Sequence, residues 1–258
     1  MLRALYSSAS GMQSQQMNLD VISNNLANVN TTGFKMSRLQ FQDMLYETTK
    51  EAGSAQGGGN QLPASLQVGQ GAAPAATTRL FTQGEMSKTG NNFDLAIEGN
   101  GFFEVQTPGA LAYTRDGGFK PNKDGIIVTN EGYPVAGFQP VPQGTTGITI
   151  TAGGDVTYTS PGGNSSFKVQ LSRFINPGGL DAMGHNLYKT TEASGTAETG
   201  TPGENGFGEI QQGYLELSNV SVVQEMVNLI LAQRAYEVNS KAVQAADQMM
   251  QQSNNLQR

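Results

Sequence analysis

The sequence predicts an α+β fold, with long N- and C-terminal helices forming a coiled-coil domain and an inserted all-β domain of short antiparallel strands. Of the 33 glycines, 31 lie in the middle of the chain, and the ends hold only Gly11 and Gly33. Apolar residues recur every three or four positions at both ends, whereas the middle has short alternating runs bounded by turns. The expected domains are 1–35 with 220–258, a connecting segment 36–80, and a β-rich outer domain 81–219.

The N-terminal helix carries a weak apolar stripe, in which Ser8 and Gln15 are polar members. We expect the helix to stop near Asn30–Gly33, because Gly33 takes the left-handed conformation that closes a last turn. The apolar positions of the stripe are Leu5, Met12, Leu19, Ile22, Leu26 and Val29.

The C-terminal helix is expected to be longer, since neither glycine nor proline interrupts residues 214–258. Ser221 and Gln224 have the spacing of a capping box at its start. At ~1.5 Å per residue the helix would run about 50 Å. Its stripe comprises Val220, Val223, Val227, Leu231, Ala235, Val238, Ala242, Ala245, Met249, Gln252 and Leu256.

Both helices need partners, because isolated helices with polar residues in the stripe are marginally stable in water. Two arrangements satisfy this need: the helices pack on each other within one chain, or neighbouring subunits cover the remaining apolar surface. Met226, Leu229 and Ile230 point in several directions around the C-terminal helix, which favours contacts on more than one side.

The middle of the chain begins with a low-complexity stretch, residues 51–70, which contains Gly57–Gly59 and Pro63. Its composition is typical of a disordered linker. Residues 93–217 instead predict a β-meander. The expected strands lie in Phe93–Glu98, Phe102–Val105, Ile126–Thr129, Gly147–Ile150, Val156–Tyr158 and Phe167–Leu171.

The composition argues against several kinds of site. The 258 residues include no cysteine and one histidine, which disfavours disulfides, thiolate nucleophiles and metal centres within one chain. The net charge of −6 and the scattered basic residues argue against nucleic-acid binding. No run approaches the roughly 20 apolar residues of a membrane span. The first ten residues lack the apolar core of a cleaved signal peptide, so we expect none.

Candidate catalytic groups all have a simpler structural interpretation. Gly99–Gly101 begins like a dinucleotide-binding fingerprint, but without its third glycine or a following helix it is better interpreted as a hairpin turn. Asp116, Asp124 and Glu131 are each followed by glycine, as at turns, although a pair of them would suit glycan hydrolysis. His185 lies in a turn-like stretch. We therefore expect no enzyme, no cofactor and no metal.

Two terminal segments resemble the bacterial flagellar rod and hook proteins. They are Ser23–Lys35 and Gln233–Gln244. Between them, Asp94–Phe103 and Tyr113–Gly117 are similar to the β domain that these proteins share. The resemblance covers nearly the whole chain. Within the family, the length and the segment from about Met44 to Gly71 are similar to the distal rod member, and the proximal rod member is the alternative.

The resemblance implies a structural subunit that polymerises into a hollow helical shaft, which transmits motor torque to the hook and provides an export channel. Implied partners are further copies of itself, proximal rod proteins, the hook protein, the surrounding P-ring and L-ring proteins and the export apparatus. The implied location is the periplasm-spanning rod of the basal body. The segment 44–71 is implied to add contacts that stiffen the rod.

The family motif also implies candidate assembly residues. Asparagine and threonine side chains are expected to cap the first helix and bond the backbone of the following turn, while Phe34 packs there. Arg234, Glu237 and Lys241 lie on one face of the second helix and suit salt bridges to adjacent helices. The motif residues are Asn24, Asn25, Asn28, Asn30, Thr31, Gly33, Phe34, Arg234, Tyr236, Glu237, Asn239 and Lys241.

A function from a different class also fits the sequence. A secreted glycan-binding or glycan-cleaving β domain with helical arms would suit a location in the cell wall. The polymer hypothesis requires the terminal helices for assembly, whereas the glycan hypothesis requires carboxylates such as Asp116 and Asp124 in one site.

Overall fold

The computed structural model describes residues 2–52, 55–56, 60–61, 63–142, 144–145, 147–160 and 163–255. It confirms the α+β class, with one helix at each end and many short antiparallel strands between them. The chain forms two compact units. The helical unit comprises residues 1–26, 37–78 and 222–258, and the β unit comprises residues 27–36 and 79–221.

The helical unit contains both helices and the segment that follows the first one. In the described part of the chain, neither helix has an apolar stretch long enough to cross a membrane. The elements are α1 (Leu2–Ala27), β1 (Ser37–Asp43), β2 (Tyr46–Lys50), β3 (Ala55–Gln56), β4 (Asn60–Gln61), β5 (Leu66–Gly69), β6 (Ala72–Arg79) and α2 (Val222–Asn255).

The strands within residues 36–80 pair in nested antiparallel fashion. Strand β1 pairs with β6, β2 with β5, and β3 with β4. All side chains of β2 and β5 are exposed. The disordered linker expected from composition is therefore replaced, over the described residues, by a two-stranded ribbon; Gly57–Gly59 lie outside those residues.

The β unit holds the remaining strands and one short 3-10 helix, Pro177–Gly179. Its strands are β7 (Met86–Lys88), β8 (Leu95–Glu98), β9 (Phe103–Thr107), β10 (Ala110–Thr114), β11 (Lys120–Pro121), β12 (Ile127–Val128), β13 (Gly147–Ile150), β14 (Asp155–Ser160), β15 (Gly163–Lys168), β16 (Leu171–Arg173), β17 (Asp181–Gly184), β18 (Leu187–Lys189), β19 (Glu198–Gly200), β20 (Glu209–Gln212) and β21 (Tyr214–Glu216).

The strands of the β unit form several small sheets. The largest has the order β17-β18-β10-β9, and β13-β14-β15 form a meander. Pairs β8-β20, β7-β21, β16-β19 and β11-β12 complete the set. Alternate side chains from these sheets build the main core, which includes Leu95, Ile97, Phe103, Phe119, Ile127, Val156, Tyr158, Leu171 and Ile210. The single meander expected over residues 93–217 is therefore wrong, because several strands pair with partners distant in sequence. The expected strand Phe167–Leu171 is divided between β15 and β16.

The expected hairpin at Gly99–Gly101 is wrong. Strand β8 pairs with β20 and β9 pairs with β10, so the turn connects two different sheets. Gly99 and Gly101 have φ of 108° and 151°, which explains the glycines at these positions. A hairpin does occur at Asp124-Gly125, where β11 and β12 pair.

The first helix ends earlier than expected. Helix α1 stops at Ala27, and residues 28–33 form consecutive turns, with Thr31 N donating to Asn28 O at 3.1 Å and Phe34 N to Thr31 O at 3.3 Å. Gly33 has a left-handed φ of 67°, but within these later turns. Asparagine and threonine side chains compete with the helix for backbone hydrogen bonds, which accounts for the early end. Residues 27–36 consequently fold with the β unit.

Candidate functional site

An exposed apolar stripe runs along α2. Ile230 belongs to it, together with most of the large residues predicted from the 3-4 spacing. Ala235 is half-buried and Ala242, Ala245 and Gln252 are exposed, while Leu256 lies outside the described residues. Val220 was wrongly predicted for this stripe: it precedes α2 and is only 8% exposed. We define the exposed stripe by its large members and their exposure: Val223 (74%), Val227 (45%), Ile230 (53%), Leu231 (62%), Val238 (65%) and Met249 (50%).

A different face of α2 is the buried one. It contains Glu225, Ala232 and Ala246, which are 2–3% exposed, and half-buried Asn239 and Val243. Three- and four-residue steps also connect these positions, but the side chains are small or polar. The apolar pattern in the sequence therefore marks the exposed face of α2, and the small residues mark the face buried within the chain.

Among the described residues, α1 and α2 approach each other at two separate positions. Asn25 Nδ2 donates a hydrogen bond to Glu225 Oε2 at 3.1 Å. A Cβ added to Gly11 would lie 2.9 Å from Nδ2 of Asn239, so the helices approach closely there. Gly11 precedes Asn25 along α1, whereas their partners come in the opposite order, since Asn239 follows Glu225 along α2. The two pairs are separated by the same number of residues. The two helices therefore run antiparallel between these contacts.

The predicted stripe of α1 is more buried than that of α2. Ile22 is 4% exposed. The other predicted apolar members are half-buried: Leu5, Met12, Leu19, Leu26 and Val29. Ser14, on the same helix, is 2% exposed and its hydroxyl donates to Ala72 O of β6.

The N-terminal motif divides between the two units. Asn25 is 1% exposed and pairs with the backbone of Ser37, donating from Nδ2 to O at 2.8 Å and accepting from N at Oδ1, 2.9 Å. Asn28 Oδ1 accepts from Thr31 Oγ1 at 3.1 Å. Asn24 and Asn30 are exposed. Asn25 thus holds the start of β1 against the end of α1.

Gly33 and Phe34 are buried in the β unit. Gly33 N donates to Glu216 O at 2.8 Å, and an added Cβ would lie 2.6 Å from Asp116 N, so only glycine fits. Phe34 is 6% exposed. Thr32 Oγ1 donates to Asp116 Oδ1 at 3.0 Å, and its carbonyl accepts from Asn186 Nδ2 at 2.8 Å. The last residues of the motif are therefore held in the β unit by hydrogen bonds and close packing.

A buried ion network follows directly after Phe34. Lys35 Nζ lies 2.6 Å from Glu216 Oε1 and 2.7 Å from Thr82 O, and Arg115 Nη1 lies 3.4 Å from Glu216 Oε2. Lys35 and Glu216 side chains are fully buried and Arg115 is 3% exposed. Burial lowers the pKa of Lys35, against the opposing effect of Glu216. One carboxylate is thus shared by two buried cations.

Sequence reasoning missed this network. Lys35 ends the N-terminal motif and Arg115 lies in a segment similar to the shared β domain, and neither pattern predicts a buried charge. Glu216 alternates with the apolar Leu215 and Leu217 and so resembles any outward-facing strand residue. The partners are 181 residues apart in sequence, and no local pattern signals such a pairing.

The C-terminal motif residues lie on both sides of α2. Arg234 and Glu237 form an exposed ion pair within the helix, 3.4 Å from Nη1 to Oε2, and Lys241 is exposed. Tyr236 is 40% exposed. Asn239 is half-buried against Gly11. A solvent-exposed ion pair of this kind contributes well under about 1 kcal/mol, so these charges do little for the fold of one chain.

The structure does not assemble a glycan-hydrolysis site from the candidate carboxylates. Asp116 and Glu131 line a cavity of only about 10 Å³ together with His185, and Asp124 lies outside it. Burial raises the pKa of Asp116, whose Oδ1 accepts from Gly118 N and Thr32 Oγ1. His185 is 70% exposed, with Nδ1 3.5 Å from Glu131 Oε1. A sugar ring does not fit this cavity.

Comparison with known proteins gives a consistent family. Three family models match: "Flagella basal body rod protein" over residues 5–35, "Flagellar hook protein FlgE/F/G D1 domain" over 96–158, and "Flagellar basal body rod FlgEFG protein C-terminal" over 211–256. The first and third coincide with the motif-bearing ends, and the second lies in the β unit.

Curated relatives align over nearly their whole length. The chain is 47% identical to the flagellar basal-body rod protein FlgG of Borreliella burgdorferi, covering 100% of both chains. It is 45% identical to FlgG of Buchnera aphidicola from Acyrthosiphon pisum, over 99% of this chain and 100% of that one. FlgF of Caulobacter vibrioides is 39% identical over 92% and 91%. This chain therefore belongs to the flagellar basal-body rod protein family.

Proposed function

We propose that this chain is the structural subunit of the distal rod of the bacterial flagellum. Copies assemble into a hollow helical shaft that transmits motor torque to the hook and leaves a central channel for export. The relatives named FlgG, at 45% and 47% identity over full length, support the rod role. The role requires no chemical step, and accordingly the chain is assigned no enzymatic activity.

The exposed stripe of α2 is the observation that carries the proposal. Burying one large aliphatic side chain contributes about 1.5–3 kcal/mol, and six such residues lie on one helix face at 45–74% exposure. A soluble monomer rarely exposes so continuous an apolar surface unless it forms an interface. In the assembled shaft, helices of neighbouring copies cover this stripe.

We further propose that the helices form coiled coils at two levels. Within a chain, α1 packs antiparallel on the small-residue face of α2, with the Asn25–Glu225 hydrogen bond setting the register. Between chains, the exposed stripes pack into layers that surround the channel. A buried polar pair is costly when shifted out of alignment, so it selects one register among several apolar ones.

The partners follow from a position in the basal body. Proximal rod proteins and the hook protein would contact the two ends of the shaft, P-ring and L-ring proteins would surround it, and the flagellar export apparatus would deliver it to the periplasm-spanning rod. Arg234, Glu237 and Lys241 are exposed and available for salt bridges to neighbouring helices. The ribbon of β2 and β5 is a second surface for contacts that stiffen the shaft.

The alternative within the family is a proximal rod subunit. The 39% identity to a rod protein with a different name, FlgF, supports keeping another position in the rod as the alternative. Labelling of the chain in isolated basal bodies distinguishes the two, because the distal role places the label next to the hook.

Assembly is tested by placing a charge on the exposed stripe. We expect Val238→Asp to abolish sedimentation of assembled shafts, because a carboxylate would be buried between helices at a cost of several kcal/mol. The matched control is Gln244→Asp, on an exposed polar position of the same helix. Shafts of wild-type yield from Val238→Asp would exclude the exposed stripe as the subunit interface.

A further inference from the structure

A cavity in the β unit combines aromatic walls with two guanidinium groups. It measures about 200 Å³, several times the roughly 30 Å³ that one water molecule occupies in the liquid. Phe81, Phe102 and Phe174 form its apolar walls. Arg115, which pairs with Glu216, and Arg173, which pairs with Glu198, are its charged lining residues. We call it the Arg115 cavity.

One nitrogen of the Arg115 guanidinium group has no hydrogen-bond partner among the described residues. Its Nη2 donates to Gly99 O at 2.6 Å, and Nη1 lies near Ile97 O and Glu216 Oε2. Among the residues that the structure describes, its buried Nε has no acceptor. A buried donor without a partner is unfavourable, so an incoming carbonyl or carboxylate oxygen would gain a charge-assisted hydrogen bond.

The rim of the cavity is apolar and exposed. Ile175, next to Phe174, is 82% exposed, although it is a large aliphatic side chain. An aromatic wall, an aliphatic rim and a guanidinium Nε without an acceptor together fit a peptide segment that carries a large apolar side chain next to an acidic one. A free inorganic anion would leave the apolar walls unused.

One segment of this chain has that chemistry. Outside α2, five described large apolar residues are more than half exposed, namely Tyr6, Leu45, Tyr46, Leu66 and Ile175. Of these, Leu45 and Tyr46 lie between two acidic residues, Asp43 and Glu47. Leu45 is 83% exposed and lies at the corner between β1 and β2.

We propose that the Arg115 cavity receives the Asp43–Glu47 corner of a second copy of this chain. Leu45 would pack between Ile175 and the phenylalanine walls, and a corner oxygen would accept from Arg115. Lys35, Arg115 and Arg173 share only two carboxylates, Glu216 and Glu198, so one positive charge remains in excess and the acidic corner complements it. The inference rests on the proposed polymer, since it needs copies held side by side, and it names a contact between the β unit of one copy and the strand segment of another.

Disulfide trapping tests the contact, because the chain contains no cysteine of its own. Cells would co-express two differently tagged chains, one with Leu45→Cys and one with Ile175→Cys, and isolated shafts would be oxidised. We expect a mixed dimer carrying both tags. The matched control replaces Ile175→Cys with Leu111→Cys, at an apolar residue of the β unit that is 47% exposed and lies outside the cavity.

The charge contribution is tested by adding Asp43→Arg to the Leu45→Cys chain. Repulsion from the two arginines should lower the yield of mixed dimer at least about threefold while sedimentation of shafts is unchanged. Two results would overturn the contact but leave the proposed polymer intact: shafts that sediment but contain no mixed dimer, and shafts in which Leu111→Cys gives as much mixed dimer as Ile175→Cys. Loss of sedimentation in every variant, the wild type included, would overturn both.

Discussion

Neutralising Glu216 should unfold the β unit far more readily than neutralising an exposed carboxylate. In Glu216→Gln, Lys35 and Arg115 keep their buried charges but lose the anion that both contact, at 2.6 and 3.4 Å. Glutamine also places an amide donor where a carboxylate oxygen accepted from a cation. Bulk water has little access to replace the lost contacts, because none of the three side chains is more than 3% exposed.

The expected loss is about 3–5 kcal/mol, the usual cost of removing one partner of a buried ion pair. Domains of this size are stable by only about 5–15 kcal/mol, so the loss is a large share. Lys35→Met should cost less, because Glu216 then retains Arg115. Glu198→Gln is the matched control: it breaks the pair with Arg173, whose side chains are 49% and 35% exposed, and should cost under about 1 kcal/mol.

Urea unfolding of the full chain, followed by near-ultraviolet circular dichroism, measures these differences. The chain has no tryptophan, so tyrosines report, and Tyr113, Tyr158 and Tyr188 are at most 4% exposed in the β unit. A Glu216→Gln midpoint equal to that of Glu198→Gln would show that the buried cations do not depend on this carboxylate.

Two further predictions concern the turn that the N-terminal motif forms in the β unit. Because burial raises the pKa of Asp116 above its ordinary value of 3.8, its contribution to stability is full below that pH and is lost as pH rises through the folded-state value. Asp116→Asn should therefore gain stability relative to wild type as pH rises from acid to neutral, measured by urea midpoints; a constant difference would contradict this. Gly33→Ala should lower the free energy of unfolding by more than about 1 kcal/mol, because φ is 67° and the added Cβ would lie 2.6 Å from Asp116 N. The control Gly132→Ala, with φ of 88° and no atom within 4 Å of the added Cβ, bears only the conformational cost. Equal thermal midpoints for the two variants would refute the steric argument.

The local features of the fold were predictable from local patterns. The uninterrupted apolar periodicity of residues 222–255 predicts α2, and glycine-bounded alternation predicts strands such as Gly147–Ile150 with their observed bounds. Both patterns depend on neighbours a few positions apart, which a sequence displays directly. The last residue of α1 could not be predicted in the same way, because Asn25 near this end forms hydrogen bonds with Ser37 and Glu225, which are distant in sequence.

The sequence by itself therefore determined that both termini of the chain are helical, that the middle is rich in β-strands, and which family the chain belongs to. Periodicity and motifs are local properties of the sequence. Only the tertiary structure decided which face of α2 is exposed, which strands pair on either side of the Gly99–Gly101 turn, and that Lys35 is buried beside Glu216. These depend on long-range contacts, such as Lys35 with Glu216, whose energies come from burial and charge neutralisation and leave no periodic trace along the chain.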